Sequence, residues 1–530
     1  GSGPSGVAAA SALLERGCDV LMLDAGLSLE PDRRAVVDQL ARVSHEKWPG
    51  DQLGRIRNEG QIDEDGLPVK LLYGSDFPFR RAGELVTTQQ AGVSFKSSLA
   101  QGGLSNLWGA AVLPYNARDI DDWQVGADAL AGHYESVTKF FSLSARDDDL
   151  TGLFPLYTGD ACPLRLSRQA QALHDDLSRS SAALREAGVT FGQSRIAVTA
   201  QAQGDRPGCV YCGSCLHGCP YELIYCSEHT LRKLCSNDRF EYRPNVLVTG
   251  LSDRDGQVEI TARAVDSEST GTMTFFADRV FVACGLIAST KLILRTLQAF
   301  DQPVSIRDSQ YFLLPFMRYR GISGVATEPL HTLSQLFVEL DDPTISRRLV
   351  HLQVYSYSDM LAHALRAKFG PLHSLLGLPI RSALARMSLI QCFVHSDDSP
   401  SPNATLVRDD DDPGGARLVI EVTAQELQKR QIVKAIVRKL RGLRRAFRSV
   451  FVTPMMQMTE PGRSFHSGGT LPMRASPNAL ESDLLGRPGG LRRVHVVDAS
   501  VLPSIAATTV TLTVMANAHR IASEAVETKP

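Results

Sequence analysis

The feature that most constrains the fold is Gly1-Ser2-Gly3-Pro4-Ser5-Gly6 and the run behind it. Gly1 permits a tight turn, Gly3 lets the backbone approach a pyrophosphate, and Gly6 lets a helix pack on a sheet. Val7 to Arg16 is rich in Ala and Leu and predicts that helix. Its amino end would face phosphates with its positive dipole. Cys18 to Leu23 predicts a short apolar strand. Asp24 ends it, eighteen residues after Gly6, where a carboxylate grips an adenosine ribose. A glycine-rich surface turn is the plain alternative, and the motif alone does not separate FAD from NAD. Such a turn normally follows a strand, so the chain reads as truncated at its amino end, with any signal peptide and the localisation left unread.

With 530 residues, 43% hydrophobic and 22% charged, the chain is long enough for more than one core. A net charge of −2 gives no global case for nucleic acid or an anionic membrane as partner. No run of eighteen apolar residues suggests a transmembrane helix, and no fixed-period repeat is present.

Residues 27–90 read as polar and irregular. Residues 165–187 predict an amphipathic helix, and Glu241 to Val248, Val258 to Ala264 and Met273 to Cys284 predict strands. The texture changes near residue 300. Tyr311 to Tyr319 and Leu349 to Tyr357 read as strands among helix-like runs. Asp409 to Asp412, followed by Pro413-Gly414-Gly415, predicts a hairpin tip with a solvated acidic run. Ala424 to Ser449 predicts a basic helix with Lys429, Lys434, Arg438, Arg441, Arg445 and Arg448 on a solvated face. Residues 361–390 are apolar with interspersed Arg and His, suiting helical core or a substrate-domain wall, with a membrane-surface patch as the alternative.

Four more segments carry a resemblance. Gly102-Gly103-Leu104-Ser105-Asn106-Leu107-Trp108-Gly109 resembles the flavin-contacting loop of glucose–methanol–choline (GMC) oxidoreductases, especially pyranose oxidase-like members. Ala283 to Leu292, with Gly285 at the turn, resembles their second signature. His466-Ser467-Gly468-Gly469-Thr470 resembles the active-site His-x-x-Gly-Thr, and Val497 to Pro503, continuing to Arg520, resembles the closing flavin-binding segment. The resemblance implies an α/β fold: a Rossmann-type FAD-binding domain from residues 1–115, 226–300 and 455–530, and an inserted α+β substrate domain with an antiparallel sheet from 116–225 and 301–454. It places FAD against Gly1, Gly3, Gly6, Asp24, Gly103, Ser105, Asn106, Leu107, Trp108, Val246, Ala283, Gly285, Asp498 and Ala499. Some relatives tether the flavin through a His at the place of Leu107, which cannot form that bond, so non-covalent FAD is expected.

The implied reaction takes a hydroxyl proton and a hydride from a small-molecule alcohol, such as a sugar or polyol. The flavin accepts the hydride, and His466 is implied as base, since an imidazole accepts protons near neutral pH. A core histidine bonded to a carbonyl is the plain alternative. The family usually places His or Asn opposite that base; here Thr509 takes the position. A hydroxyl donates a hydrogen bond but is no base near neutral pH. A catalytically inert flavin-binding or partner-binding homologue is therefore a rival reading, and an NAD-linked dehydrogenase, supported by the glycine turn alone, is another.

Cys209, Cys212, Cys215 and Cys219 stand as C-x2-C-x2-C-x3-C followed by Pro220. That is the spacing of a bacterial ferredoxin run. An iron–sulfur cluster, a tetrahedral zinc site and a set of buried thiols all stay open. A cluster would favour a dehydrogenase handing electrons to a protein or quinone over a simple oxidase.

Overall fold

A computed structural model describes residues 1–57, 70–204, 206–254, 256–266, 271–358, 382–410, 412, 414–427 and 431–528. Most of the apolar 361–390 stretch lies outside them.

The helix Pro4–Glu15 starts with proline in its first turn, where a missing N–H costs nothing. Its buried side is Val7, Ala8, Ala9, Ala10, Ala12 and Leu13. These small residues let it lie close to the carboxy-terminal helix Thr511–Glu527 and the strand Val20–Leu23. That second helix is buried almost all round, and side chains such as Ile521, at 0% exposure, each contribute about 1.5–3 kcal/mol. Val20–Leu23 pairs in parallel with Phe240–Arg243, and Val280–Val282 pairs in parallel with Val494–Val496. Gly1 stands between these pairs. Its amino group donates to Leu23 O at 2.9 Å, and a Cβ on it would meet Ala283 O at 2.7 Å. A three-stranded antiparallel sheet, Val246–Arg254, Gln257–Ala264 and Thr272–Ala277, completes this half.

The other half is built on a seven-stranded sheet. Across it run Ser449–Phe451, Tyr311–Arg318, Met387–Phe393, Val350–Tyr355, Leu336–Leu340 and Val189–Gln193, with Gln457–Met458 also on Tyr311–Arg318. All these pairings are antiparallel. One face, including Leu314, Ile390, Leu352 and Val338, packs against the helices Arg168–Arg179 and Gln431–Gly442. Successive side chains alternate across a strand, so the other face turns toward the glycine-turn half.

Several boundaries differ from expectation for local reasons. The polar stretch 27–90 contains the helices Pro31–Ala41 and Gly50–Ile56; the first buries Val36, Val37 and Leu40, one narrow stripe on an otherwise charged helix. Residues 165–187 form two helices that meet at Ser180. The strand expected over 241–248 breaks at Asn245, whose φ is 62°. The hairpin at 409–415 forms between Asn403–Arg408 and Ala416–Glu421, but Asp412 is not solvated: it is 9% exposed, bonded to Thr87, and 3.3 Å from Lys291 Nζ. The basic helix seats Val433, Ile436 and Leu440 inward and leaves Lys434, Arg438 and Arg441 exposed. Among the described residues no helix is long and apolar enough to cross a membrane.

Candidate active site

A cavity of 740 Å³ lies at the amino end of the first helix. Gly1, Gly3, Asp24, Gly103, Val246, Ala283, Gly285, Asp498 and Ala499 line it. Residues from five separated stretches of chain therefore meet around one space. Val510 and Thr511, at the start of the carboxy-terminal helix, line it as well.

The glycines do different work. A Cβ on Gly6 would stand 1.9 Å from Gly1 O, so this position fixes the turn from behind and does not line the cavity. A Cβ on Gly3 or Gly285 would meet nothing within 4 Å; here the missing side chain leaves room for a ligand against bare backbone. Asp24 is buried, accepts from Ser2 Oγ, and takes the Tyr242 hydroxyl at 3.1 Å. Asp498 caps its own turn through Ser500 N at 3.0 Å and holds Gly285 N at 2.9 Å and Ser289 Oγ. Its carboxylate thus ties two expected cofactor segments together.

The lining also carries Arg81, Lys96, Arg263, Lys291 and Arg295 against Asp24, Asp412 and Asp498. That balance favours an anionic ligand. Arg263 Nε is buried without a hydrogen-bond partner among the described residues, a cost normally met by something bound or by ordered water. A cavity with bare glycine backbone, a helix amino end and a cationic lining fits a dinucleotide.

The loop after Gly103 is placed otherwise. Ser105, Asn106, Leu107 and Trp108 do not line this cavity. Ser105 is buried and bonds Gly102 O at 2.6 Å and Ser227 Oγ at 3.0 Å. Asn106 donates to Gln101 O and Gly103 O, both at 2.8 Å, and Trp108 donates to Tyr225 O at 2.7 Å. Leu107 is 6% exposed. These side chains hold the shape of the loop.

His466 stands where the cavity meets the seven-stranded sheet. Its neighbours Phe465 and Ser467 line the cavity. Phe465 has φ 58°, a left-handed conformation that a bulky residue adopts at a cost and that recurs at functional sites. The imidazole stacks on Phe393, ring centroids 5.0 Å apart and planes at 21°. Its Nδ1 is buried without a hydrogen-bond partner among the described residues. Burial, then the nearby His351 and Lys70, push its pKa down from 6.5 to about 3, so the ring is neutral near pH 7. Thr509 Oγ1 is likewise buried and has no partner among the described residues. Ala507, two residues before it, packs with Phe393, the ring that carries His466.

Sequence reasoning missed Asp308. It is fully buried and accepts from Ser467 Oγ at 2.5 Å and Ser464 Oγ at 3.3 Å, holding the segment on both sides of His466. Arg307–Asp308 pairs antiparallel with Ser467–Gly468. Burial pushes the Asp308 pKa up to about 6. A lone Arg-Asp pair before a strand gives no sign of this role.

The four loop cysteines lie elsewhere. Cys209, Cys212, Cys215 and Cys219 line a second, 20 Å³ space with Val198, Leu223, Ile224 and Leu333. All ten cysteines are free thiols. Burial, with the neighbouring thiols adding to it, pushes Cys209 up to about 11 and Cys219 to about 12. Among the described residues no group of three or more His, Cys, Asp or Glu converges as it would on one metal ion. The loop runs on through Tyr225 to Cys226, whose Sγ is 3.3 Å from Ser105 Oγ.

No family model matches the sequence, and no curated protein matches it. Among solved structures, pyridoxine 4-oxidase from Mesorbium loti matches over 100% of this chain and 99% of its own, with a TM-score of 0.59 and 14% identity. The chain is similar to it in fold: a mixed α/β architecture with several sheets.

Proposed function

We propose that this chain is an FAD-dependent oxidoreductase of the GMC type that oxidises an alcohol to a carbonyl. The observation that carries the reading is the convergence of the glycine turn, the Gly103 loop, the Gly285 turn and the Asp498 segment on one cavity that Phe465 and Ser467, on either side of His466, also line. The full-length likeness to an enzyme named as an oxidase of pyridoxine supports it. A bound flavin would supply the hydride acceptor. Gly1, Gly3 and Gly285 would hold its pyrophosphate side, and Asp24 and Val246 its adenosine side. Leu107 offers no atom for a covalent tether, so the cofactor is non-covalent.

The residues of the chain handle the proton. His466 is neutral and carries a buried ring nitrogen that no group among the described residues satisfies. A substrate hydroxyl placed there donates to it. Negative charge growing on the substrate oxygen favours the protonated imidazole, so the proton moves as the C–H bond weakens. Phe393 fixes the ring plane, and Asp308 fixes the segment. Thr509 Oγ1 donates a hydrogen bond to the substrate oxygen and leaves His466 as the one base.

The cysteine loop belongs to the same reading. Four thiols share one space without converging on a point. The support for an iron–sulfur core is the ferredoxin-run spacing of the four cysteines; among the described residues no group of three or more His, Cys, Asp or Glu is placed to hold a metal ion. Cys209, Cys212, Cys215 and Cys219 would hold that core, which would supply one-electron carriage to a protein or quinone and make the enzyme a dehydrogenase.

One preparation tests both parts. Purified protein should be yellow, should release FAD on heating, and should bleach anaerobically with alcohols. Absence of flavin, with NAD-linked turnover instead, refutes the reading; flavin that no alcohol bleaches leaves a flavin-binding homologue. Iron with acid-labile sulfide supports the cluster. Flavin-loaded protein with neither ends that part, and one zinc per chain replaces it.

A further inference from the structure

We propose that Arg263, Lys291 and Arg295 form a second anion site in the cavity, past its adenosine end, and that this site takes a phosphate group distinct from the cofactor's own pyrophosphate. This rests on the reading of the cavity as a dinucleotide site and is independent of the alcohol chemistry.

The helix Leu286–Thr296 sets the spacing. Ile287, Lys291 and Arg295 line the cavity from three successive turns, because residues four apart share a face. Gly285, whose bare backbone leaves room for a pyrophosphate, immediately precedes the helix. At about 1.5 Å of rise per residue, Lys291 stands roughly 9 Å and Arg295 roughly 15 Å further along the axis. Arg263 reaches the same end from the strand Gln257–Ala264, where it stands opposite Leu247, the residue after Val246. Lys96 belongs to the other end: its ammonium lies 5.0 Å from the Phe79 ring, which stacks on Phe465 beside His466. The glycine turns and the first helix thus serve the pyrophosphate, and the three cations face something else.

The charges at this end do not balance. Lys291 Nζ is 3.3 Å from Asp412 Oδ2 and donates to Thr87 Oγ1 at 2.6 Å. The other acids nearby are engaged: Asp409 pairs with Arg417 at 3.3 Å, and Asp266 lies 3.6 Å from Arg81. Neither Arg263 nor Arg295 has an acidic partner among the described residues, and Arg263 Nε has no hydrogen-bond partner there. Burial lowers the Lys291 pKa; Asp412 opposes this, and Arg295 and Arg263 add to it. The three cations therefore stand close enough to repel one another, at a cost that grows as water is excluded. A basic residue in a last helical turn also complements the helix dipole, which accounts for Arg295 alone and not for the approach of Lys291 and Arg263. A phosphate among them neutralises the excess and accepts the paired N–H groups of a guanidinium. It also ties down the hairpin tip, since a Cβ on Gly414 would stand 3.1 Å from Arg295 Nη1. The adenosine end of the cavity is then closed, and the cofactor is held more tightly.

Two sources share this chemistry: free inorganic phosphate, and a phosphate borne on the ribose of an adenine nucleotide. The first arm measures Tm and the Kd for FAD in potassium phosphate and in potassium chloride matched for ionic strength. Phosphate should raise Tm and tighten FAD binding about five- to tenfold, the usual size of coupling between two sites. The second arm sets NADP against NAD as competitors of FAD, since the two differ by one ribose phosphate. Stronger competition by NADP points to the ribose-borne source. Arg263→Gln and Arg295→Gln should each erase whichever effect is seen while still binding FAD in chloride; if one variant does not fold, the other carries the test. Equal behaviour in phosphate and chloride, together with equal competition by NADP and NAD, overturns the inference and leaves FAD binding standing. Variants that lose FAD affinity equally in both salts also overturn it, because the arginines then touch the cofactor itself. A protein that binds no FAD refutes the flavin reading, while its Tm in phosphate still decides the anion site.

Discussion

The two walls around His466 are made differently. The glycine-turn side is shaped by backbone: glycines, a helix amino end, and a carboxylate, Asp498, that holds turns together. The sheet side is shaped by side chains whose neighbours are chosen by strand register, as Glu339, His351 and Phe393 are. The first kind of site demands particular residues at fixed local spacing. The second demands only that strands pair correctly, and it can change its ligand without changing its fold.

The contrast breaks hardest at the glycines. Gly6→Ala places a Cβ 1.9 Å from Gly1 O, and the clash falls on backbone that cannot swing away. It should abolish flavin-loaded, folded protein, read as soluble yield and bound FAD. Gly3→Ala meets no protein atom within 4 Å, so it should keep the fold, read by circular dichroism, and lose FAD affinity. Equal behaviour of the two variants would dissolve the distinction between framework and ligand-facing glycine.

Asp308 sits at the seam. Asp308→Ala removes the acceptor of two serine hydroxyls on either side of His466 and should cost about 1–3 kcal/mol in denaturant unfolding. Because burial raises the Asp308 pKa to about 6, the protonated carboxyl is the form favoured by folding. Its contribution is present at low pH and is lost as pH rises through about 6. The slope of stability near that pH should therefore flatten in Asp308→Asn.

His466 has the opposite sign. Its pKa is depressed to about 3 from 6.5, so its contribution to stability is full above the ordinary value and fades as pH falls toward the depressed one. As base it is already deprotonated through the neutral range. kcat/KM for flavin reduction should show no acid limb near pH 6.5; a limb there would mean that His466 titrates as an ordinary exposed imidazole. Thr509→Ala, losing one hydrogen bond, should slow reduction only about two- to tenfold.

How far the sequence carried follows from the same contrast. Gly1, Gly3, Asp24, Gly285 and Asp498 were readable because backbone demands repeat as local patterns, and the structure brings all five to one cavity. The neighbours of Leu107 were readable as a loop, but their inward hydrogen bonds to Gln101, Gly102 and Tyr225 depend on tertiary packing. Glu339, His351 and Gln353 were passed over. Each is a polar residue inside an apolar strand, a visible signal, yet what they touch depends on pairing between strands far apart in the chain. Asp412 looked like solvated hairpin because its run is acidic; its burial comes from Thr87 and Lys291, over a hundred residues away. The short helix Pro31–Ala41 escaped because three apolar residues make too thin a stripe to stand out in a charged stretch.

Proton abstraction by His466 beside a bound flavin is the central step of the proposed reaction. Anaerobic mixing of the flavin-loaded protein and of its His466→Ala variant with the same alcohol decides it. The variant should carry as much FAD as the parent and bleach about 10²–10⁴-fold more slowly, the weight of a positioned general base. Bleaching at the parental rate would remove His466 from the chemistry and contradict the account.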